Sequence, residues 1–119
     1  MNISQELVSL QPAHANWKEL KSENVKKRSK VFFFVDRSVK IYENGYFAYF
    51  KFKKDKESLK ALLSPNDIKQ LVLETGSNKD RLKIVSKDKT YLFRFNNPDI
   101  AKNWYETLSE ARKDPNKFS

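Results

Sequence analysis

The residues of this chain best suited to chemistry are its cations. Lys and Arg number 24 against 15 Asp and Glu, a net charge of +9 with the single histidine neutral. They are unevenly placed: residues 1–20 carry a net −1, residues 21–60 twelve basic and five acidic side chains for a net +7, and residues 61–119 a net +3. Cations gathered in one third of a chain attract polyanions, whether nucleic acid, an anionic membrane surface or an acidic protein. The competing explanation is a solvated face that keeps the protein soluble, and the architecture has to choose between them. Catalysis has little to stand on. His14 lies beside Pro12 and Ala13, where a surface imidazole is expected, and neither a triad nor a multi-histidine metal site can be built around it. Asp36, Asp55, Glu57, Asp67, Asp80 and Asp88 fall mostly in expected turns between basic residues, the setting of solvated ion pairs. Without cysteine there is no disulfide or thiolate metal site, which fits a reducing compartment. The only glycines, Gly45 and Gly76, make no phosphate-cradling loop. No enzyme activity, metal or cofactor is expected.

The elements that must position the cations follow from patterning. A chain of 119 residues that is 39% apolar suits one domain with a real core rather than a disordered segment. No apolar run approaches the ~20 residues that span a bilayer, and the amino terminus lacks a basic-then-apolar signal pattern. Ile3, Leu7, Val8 and Leu10 can line a short helix ended by Pro12, and Trp17 with Leu20 another. Residues 30–35 are β-branched and aromatic and predict a strand, Asp36-Arg37-Ser38 a turn, and residues 39–43 a second strand. Asn44-Gly45 is a strong hairpin signal, because a type I′ turn needs φ > 0 at both central residues. An aromatic strand follows, with Tyr46, Ala48, Phe50 and Phe52 on one face and Phe47, Tyr49, Lys51 and Lys53 on the other. Charge at residues 53–57 breaks that strand; residues 58–63 fit a helix or a short strand equally, and residues 64–67 form a turn cluster. Residues 68–74 predict a strand and 75–78 a loop, and residues 82–85 pair with 91–95 across 86–89. The last element is a helix: Asn97 caps it, Pro98 takes the first helical position, and Asp99 meets the positive end of the dipole. Ile100, Ala101, Trp104, Leu108 and Ala111 form its apolar stripe, Arg112 and Lys113 its last turn, and Pro115 stops it. Up to seven short strands and one amphipathic helix predict a mostly β (α+β) antiparallel barrel or sandwich, with the helix closing one open end over Trp104.

In that order the segments resemble the pleckstrin-homology (PH) domains. Residues 45–51, Gly-Tyr-Phe-Ala-Tyr-Phe-Lys, look like the family's third strand; residues 62–68 are similar to the exit from the fourth strand and the turn into the fifth. Residues 82–85 and 90–95 resemble the sixth and seventh strands, and residues 97–108, with Trp104, the closing helix and its characteristic tryptophan. The resemblance covers roughly residues 28–113 and implies a seven-stranded antiparallel barrel or sandwich capped by one carboxy-terminal helix. It divides the chain into an amino-terminal extension at 1–22, a PH-like domain at 23–113 and a tail at 114–119. It also implies a ligand site at the open end opposite the helix, in the loops after the first, third and sixth strands. Carried over, those loops hold Arg37 and Lys40; Lys51, Lys53, Lys54 and Lys56; and Lys87 and Lys89.

Phosphoinositide-binding members carry a first-strand Lys, a loop, then basic-x-Arg before two apolar residues. Arg28-Ser29-Lys30-Val31-Phe32 resembles the second half with Lys in place of the final Arg, which adds Arg28 and Lys30 to the implied site, and Lys21 stands for the upstream Lys. That register makes residues 17–21 the first strand and Lys26, Lys27 and Arg28 its loop. The preferred register starts the first strand near Arg28, so that residues 59–63 become strand four. It leaves a tight turn at 36–38 where binders carry a long basic loop, which favours general anionic-lipid attraction over stereospecific capture. The resemblance thus implies a monomeric, cytoplasmic, peripheral membrane module for phosphoinositides, phosphatidic acid or phosphatidylserine. Two other classes compete: a protein-interaction adaptor of the same fold, taking a peptide beside the helix or at a sheet edge, and a single-strand nucleic-acid binder stacking bases on Tyr46, Phe47, Tyr49 and Phe50. Nucleic acid is the weaker of these, because stacking needs those rings exposed.

Overall fold

The computed structural model describes residues 16–30, 33–114 and 117–118. The helix expected from Ile3 to Leu10, together with His14 and Pro115, lies outside the described residues. Seven strands run β1 (Glu19–Lys30), β2 (Phe33–Tyr42), β3 (Phe47–Lys53), β4 (Lys56–Leu63), β5 (Ile68–Leu73), β6 (Arg81–Ser86) and β7 (Thr90–Arg94), followed by helix α1 (Pro98–Lys113). All neighbouring pairs are antiparallel, in one sheet of order β4-β3-β2-β1-β7-β6-β5. The sheet folds over on itself: Tyr49 of β3 and Tyr91 of β7 are separated by two strands in that order, yet their ring centroids are 5.3 Å apart. Strands β4 and β5 remain edges, so the sheet does not close into a complete barrel.

Between the two halves lies one core, built from Val25, Val39, Ile41, Phe47, Tyr49, Leu82, Ile84, Phe93 and Phe95. Helix α1 plugs one end of it with Ala101, Trp104, Leu108 and Ala111. Trp104 stands edge-on to Phe47 at 6.4 Å and tilted against Phe95 at 5.9 Å, and its indole N–H donates to the Glu23 carboxylate at 3.4 Å. The punctuation of α1 is as expected: the Asn97 side chain accepts from the Ile100 N–H at 2.9 Å, and Arg112 and Lys113 fall in the last turn. Between β4 and β5 the expected turn is a short 3-10 turn, Pro65–Asp67, closed by a reciprocal cap. Ser64 Oγ accepts from the Asp67 N–H at 3.3 Å, and the Asp67 carboxylate accepts from the Ser64 N–H at 2.8 Å.

The amino-terminal strands differ from both registers read in the sequence. There is no turn at 36–38: Asp36, Arg37 and Ser38 sit inside β2, opposite Lys26, Val25 and Asn24 of β1. Polar turn formers are held in a strand there by cross-strand partners. Asp36 accepts from Lys26 at 2.8 Å, and the buried Ser38 hydroxyl donates to Glu57. The two strands expected at 30–35 and 39–43 are therefore largely one, and the first strand is the charged segment before it. Leu20, expected in a helix with Trp17, lies in that strand. The hairpin turns also exchange roles. At Asn44-Gly45 only Gly45 has positive φ, 86°, whereas the β3–β4 turn places Lys54 and Asp55 at φ 51° and 65°, the pair of left-handed residues that a two-residue hairpin demands.

A cationic site at the open end of the sheet

Strand β1 carries the site on the same face that carries the core. With Val25 pointing inward, period-two alternation puts Lys21 and Glu23 toward the helix and Lys27 toward the opposite end. Contacts agree. Lys21 donates to Thr107 Oγ1 at 3.2 Å and to Asn103, and its ammonium lies 5.5 Å from the Trp104 ring. Lys27 lies 5.8 Å from the Tyr49 ring and 5.9 Å from that of Tyr91. Those two tyrosines floor the open end, and their faces are attractive to a cation. Lys89, from the β6–β7 turn, joins over Tyr91 at 5.4 Å.

Three further cations point to the same place. Arg37 follows the inner face of β2 and stands opposite Lys51 of β3 in register. Strand β4 contributes Lys60 through a bulge: Tyr49 pairs with Ala61 and Phe50 with Leu59, which leaves Lys60 as the extra residue. Burial holds the Lys27 ammonium below its ordinary pKa, and Lys89, Arg37 and Lys60 depress it further. Burial raises the Tyr49 phenol, while the positive charge of Arg37 opposes that shift. Arg37 gives one N–H to the Asp36 carbonyl at 2.8 Å, and its buried Nε has no hydrogen-bond partner. Among the described residues, Lys27, Arg37, Lys51, Lys60 and Lys89 form no ion pair. Burial raises the Tyr91 phenol, and Tyr49 and then Asp88 add to that shift. A cluster of such cationic donors with one free guanidinium edge is equipped to hold phosphate oxygens.

Of the residues implied by the resemblance, the structure brings together Arg37, Lys51 and Lys89. Lys53 continues the face of Lys51 out to the exposed β3–β4 tip, where Lys54 begins the turn. Lys87 is exposed, and its backbone N–H donates to the Asp67 carbonyl at 3.2 Å. Arg28 is exposed opposite Phe34, and Lys30 ends β1, its side chain outside the described residues. Lys40 is elsewhere: it lies on the outer face, paired with Glu19 at 3.3 Å and Glu57 at 3.2 Å, 5.2 Å from the Phe50 ring. Sequence reasoning placed Lys27 only in the loop of a rival register and Lys60 only within a general basic run. Counting two residues from Val25 finds Lys27 once β1 is known; the bulge that aims Lys60 leaves no sequence mark. Phe33 opens β2 opposite Lys30 with 66% of its surface exposed. Away from the cluster, beside α1, a cavity of about 770 Å3 is lined by Pro65, Ile68, Tyr105 and Arg112 among others.

This arrangement, an open bent sheet with a helix at one end and cations at the other, is the PH fold, and comparison with solved structures agrees. The N-terminal PH domain of human ARAP2 matches with a TM-score of 0.65 and 24% identity, over 83% of this chain and 84% of that one. The DH/PH fragment of PDZRHOGEF, solved with human RhoA, matches with a TM-score of 0.77 and 15% identity, over 96% of this chain and 34% of that one. The DH/PH domains of p115-RhoGEF match with a TM-score of 0.76 and 11% identity, over 96% of this chain and 36% of that one. This chain thus spans about a third of the length of those RhoGEF chains. No family model and no curated protein matches the sequence.

Proposed function

We propose that this chain is a non-catalytic membrane-targeting module that holds phosphoinositides or other anionic phospholipids at the open end of its sheet, as a peripheral membrane protein of the cytoplasm. The observation that carries the reading is the convergence of Lys27, Arg37, Lys60 and Lys89 on one half-buried spot, with no carboxylate among the described residues paired to any of them. A merely solubilising charge distribution has no reason to gather like charges over Tyr49 and Tyr91. Each basic side chain near an anionic leaflet contributes ~1 kcal/mol, fading over a Debye length of ~8 Å, so four or five acting together give useful affinity. The exposed Phe33 adds an apolar contact at the same end. Nucleic-acid stacking loses support, because Phe47, Tyr49 and Phe50 are buried and offer no open platform.

Sedimentation with vesicles tests the reading. The folded protein is expected to bind phosphatidylcholine vesicles carrying phosphatidylserine or a phosphoinositide, and not phosphatidylcholine alone. Joint replacement of Lys27, Arg37 and Lys89 by Ala is expected to weaken binding by about a hundredfold, following ~1 kcal/mol per cation. The same change at Lys53, Lys54 and Lys87 is expected to weaken it less. A folded wild-type chain that ignores anionic vesicles at physiological salt would sink the proposal in favour of a protein-interaction role.

A further inference from the structure

The two edges of the sheet are not guarded alike. Strand β4 carries Lys56, Glu57 and Lys60 and is bent by the bulge at Lys60, and charge and bulges both keep an edge from pairing. On β5 those devices stop early. The bulge at Lys69 is followed by Gln70, Leu71, Val72 and Leu73, with no charge and no proline. The bond from the Glu74 N–H to the Arg81 carbonyl, 3.0 Å, shows which backbone groups of this segment face β6. By alternation Val72 and Gln70 face β6 as Glu74 does, so the N–H and C=O of Leu71 and Leu73 point out of the sheet edge. Among the described residues no strand or loop backbone bonds them on that side.

Beside that edge lies the cavity of about 770 Å3 between β5 and α1, a volume within the range of ligand sites. Arg112 donates to the Lys69 carbonyl at 2.9 Å, which ties the end of α1 to the strand at the bulge and leaves the edge beyond it open. Pro65, Ile68 and Tyr105 give the cavity an apolar lining. Around it Lys69, Arg112 and Lys113 are exposed and, among the described residues, form no ion pair. Two carboxylates share the lining, but Glu110 is already paired with Lys117, which leaves Glu106 against three cations. We infer that β5 takes an extended acidic peptide as an eighth strand of the sheet. Its backbone bonds to Leu71 and Leu73, one large apolar side chain enters the cavity against Tyr105 and Ile68, and its carboxylates meet Lys69, Arg112 and Lys113. The backbone bonds supply affinity of little selectivity, while the cavity and the cations choose the sequence. This surface is separate from the cationic open end, so a peptide here does not compete with a membrane there.

Titration of the isotope-labelled full chain with acidic nonapeptides tests the inference. Each peptide alternates Glu with Val or Thr around a central Phe, Tyr, Trp, Leu or Ile. At least one is expected to shift the amide resonances of Leu71, Leu73 and Tyr105 and to slow exchange of the Leu71 and Leu73 N–H groups. Methylating the peptide's backbone nitrogens, or exchanging its glutamates for lysine, is expected to abolish both effects. Lys69→Gln together with Lys113→Gln is expected to weaken the peptide about tenfold and to leave sedimentation with anionic vesicles unchanged. A set in which no peptide perturbs Leu71 and Leu73 overturns the inference. So do shifts confined to Lys27, Lys60 and Lys89, which would mean that an acidic probe only visits the open end. Equal binding of the lysine-bearing peptides overturns it as well. A double variant that loses vesicle binding and keeps the peptide also does so, and would assign those cations to the membrane.

Discussion

The ammonium of Lys27 rests against two tyrosine rings with like charges on neighbouring elements, so folding confines cations that the unfolded chain keeps apart in water. Its folded pKa is lowered, by burial first and then by Lys89, Arg37 and Lys60. The native state therefore sheds a proton before the unfolded state does. Below that lowered value the penalty is fully present, and stability recovers as pH climbs from it toward the ordinary 10.5. Lys27→Met is thus expected to raise the melting midpoint by a few degrees at pH 7 and low salt, a gain that shrinks in high salt, while weakening vesicle binding. Thermal melts at two salt concentrations, paired with sedimentation, check both signs. Lys40 predicts the reverse. Burial pushes its pKa down, but bonds to Glu57 and Glu19 outweigh that and hold it above the ordinary value. Its contribution is present below the ordinary lysine pKa and fades as pH rises through the raised one. Lys40→Met is expected to cost about 1 kcal/mol or less, given its partial exposure, and to leave vesicle binding intact. A lysine that destabilises and binds, beside one that stabilises and does not, separates the site from the scaffold.

At the scale of elements, α1 and the β3–β4 turn carry the clearest expectations. Trp104 fills the plugged end against Phe47 and Phe95, so Trp104→Ala is expected to cost roughly 3–5 kcal/mol by denaturant titration, the range for emptying an aromatic core position. At the turn, Lys54 and Asp55 hold a left-handed backbone, which Asp tolerates and Lys does not favour, with no glycine at either position. Replacing the pair by Asn and Gly is expected to add about 1 kcal/mol, since that dipeptide reaches the same geometry without strain. The same elements show how far the sequence could be read. Helix α1, β3, β6 and β7 announce themselves, because their inward residues meet a core and are apolar: Trp104, Phe47, Leu82 and Phe93 all lie in it, although the two faces of β3 are both apolar enough that alternation alone does not say which of them turns inward. Strand β1 does not, because its inward residues meet other things. Glu23 answers the indole of Trp104, Lys21 the side chains of Asn103 and Thr107, and Lys27 the open end, leaving Val25 as the one apolar inward residue. A strand read by its alternation vanishes when both its ends serve the rims. Losing it shifted the expected start of the sheet and turned Asp36-Arg37-Ser38 into a false loop. The cations of the site were legible as a class, but their convergence depended on a register and a bulge that composition cannot show.

For the whole molecule, the two ends of the bent sheet are opposites. At the helix end the polar groups of β1 are answered by α1, and Trp104 seals the core. At the other end the cations have no carboxylate partner among the described residues, and Phe33 stands exposed where β2 begins. An assembly with that polarity approaches an anionic surface in one orientation, since turning it over exchanges attraction at the cluster for contact with a neutralised rim. Attraction over distance belongs to the charges and is screened by salt, whereas the apolar contact acts only on arrival and is not. The two contributions can therefore be separated experimentally. Phe33→Ser is expected to lower vesicle affinity by about tenfold, in line with ~25 cal/mol per Å2 of apolar surface withdrawn from water. The salt dependence of what remains should match that of the parent. Binding of a soluble inositol polyphosphate, which offers charge without a hydrocarbon interior, should not change. Equal losses for the vesicle and the soluble ligand would mean that Phe33 supports the cluster from within the fold, and the bilayer would then meet charge alone.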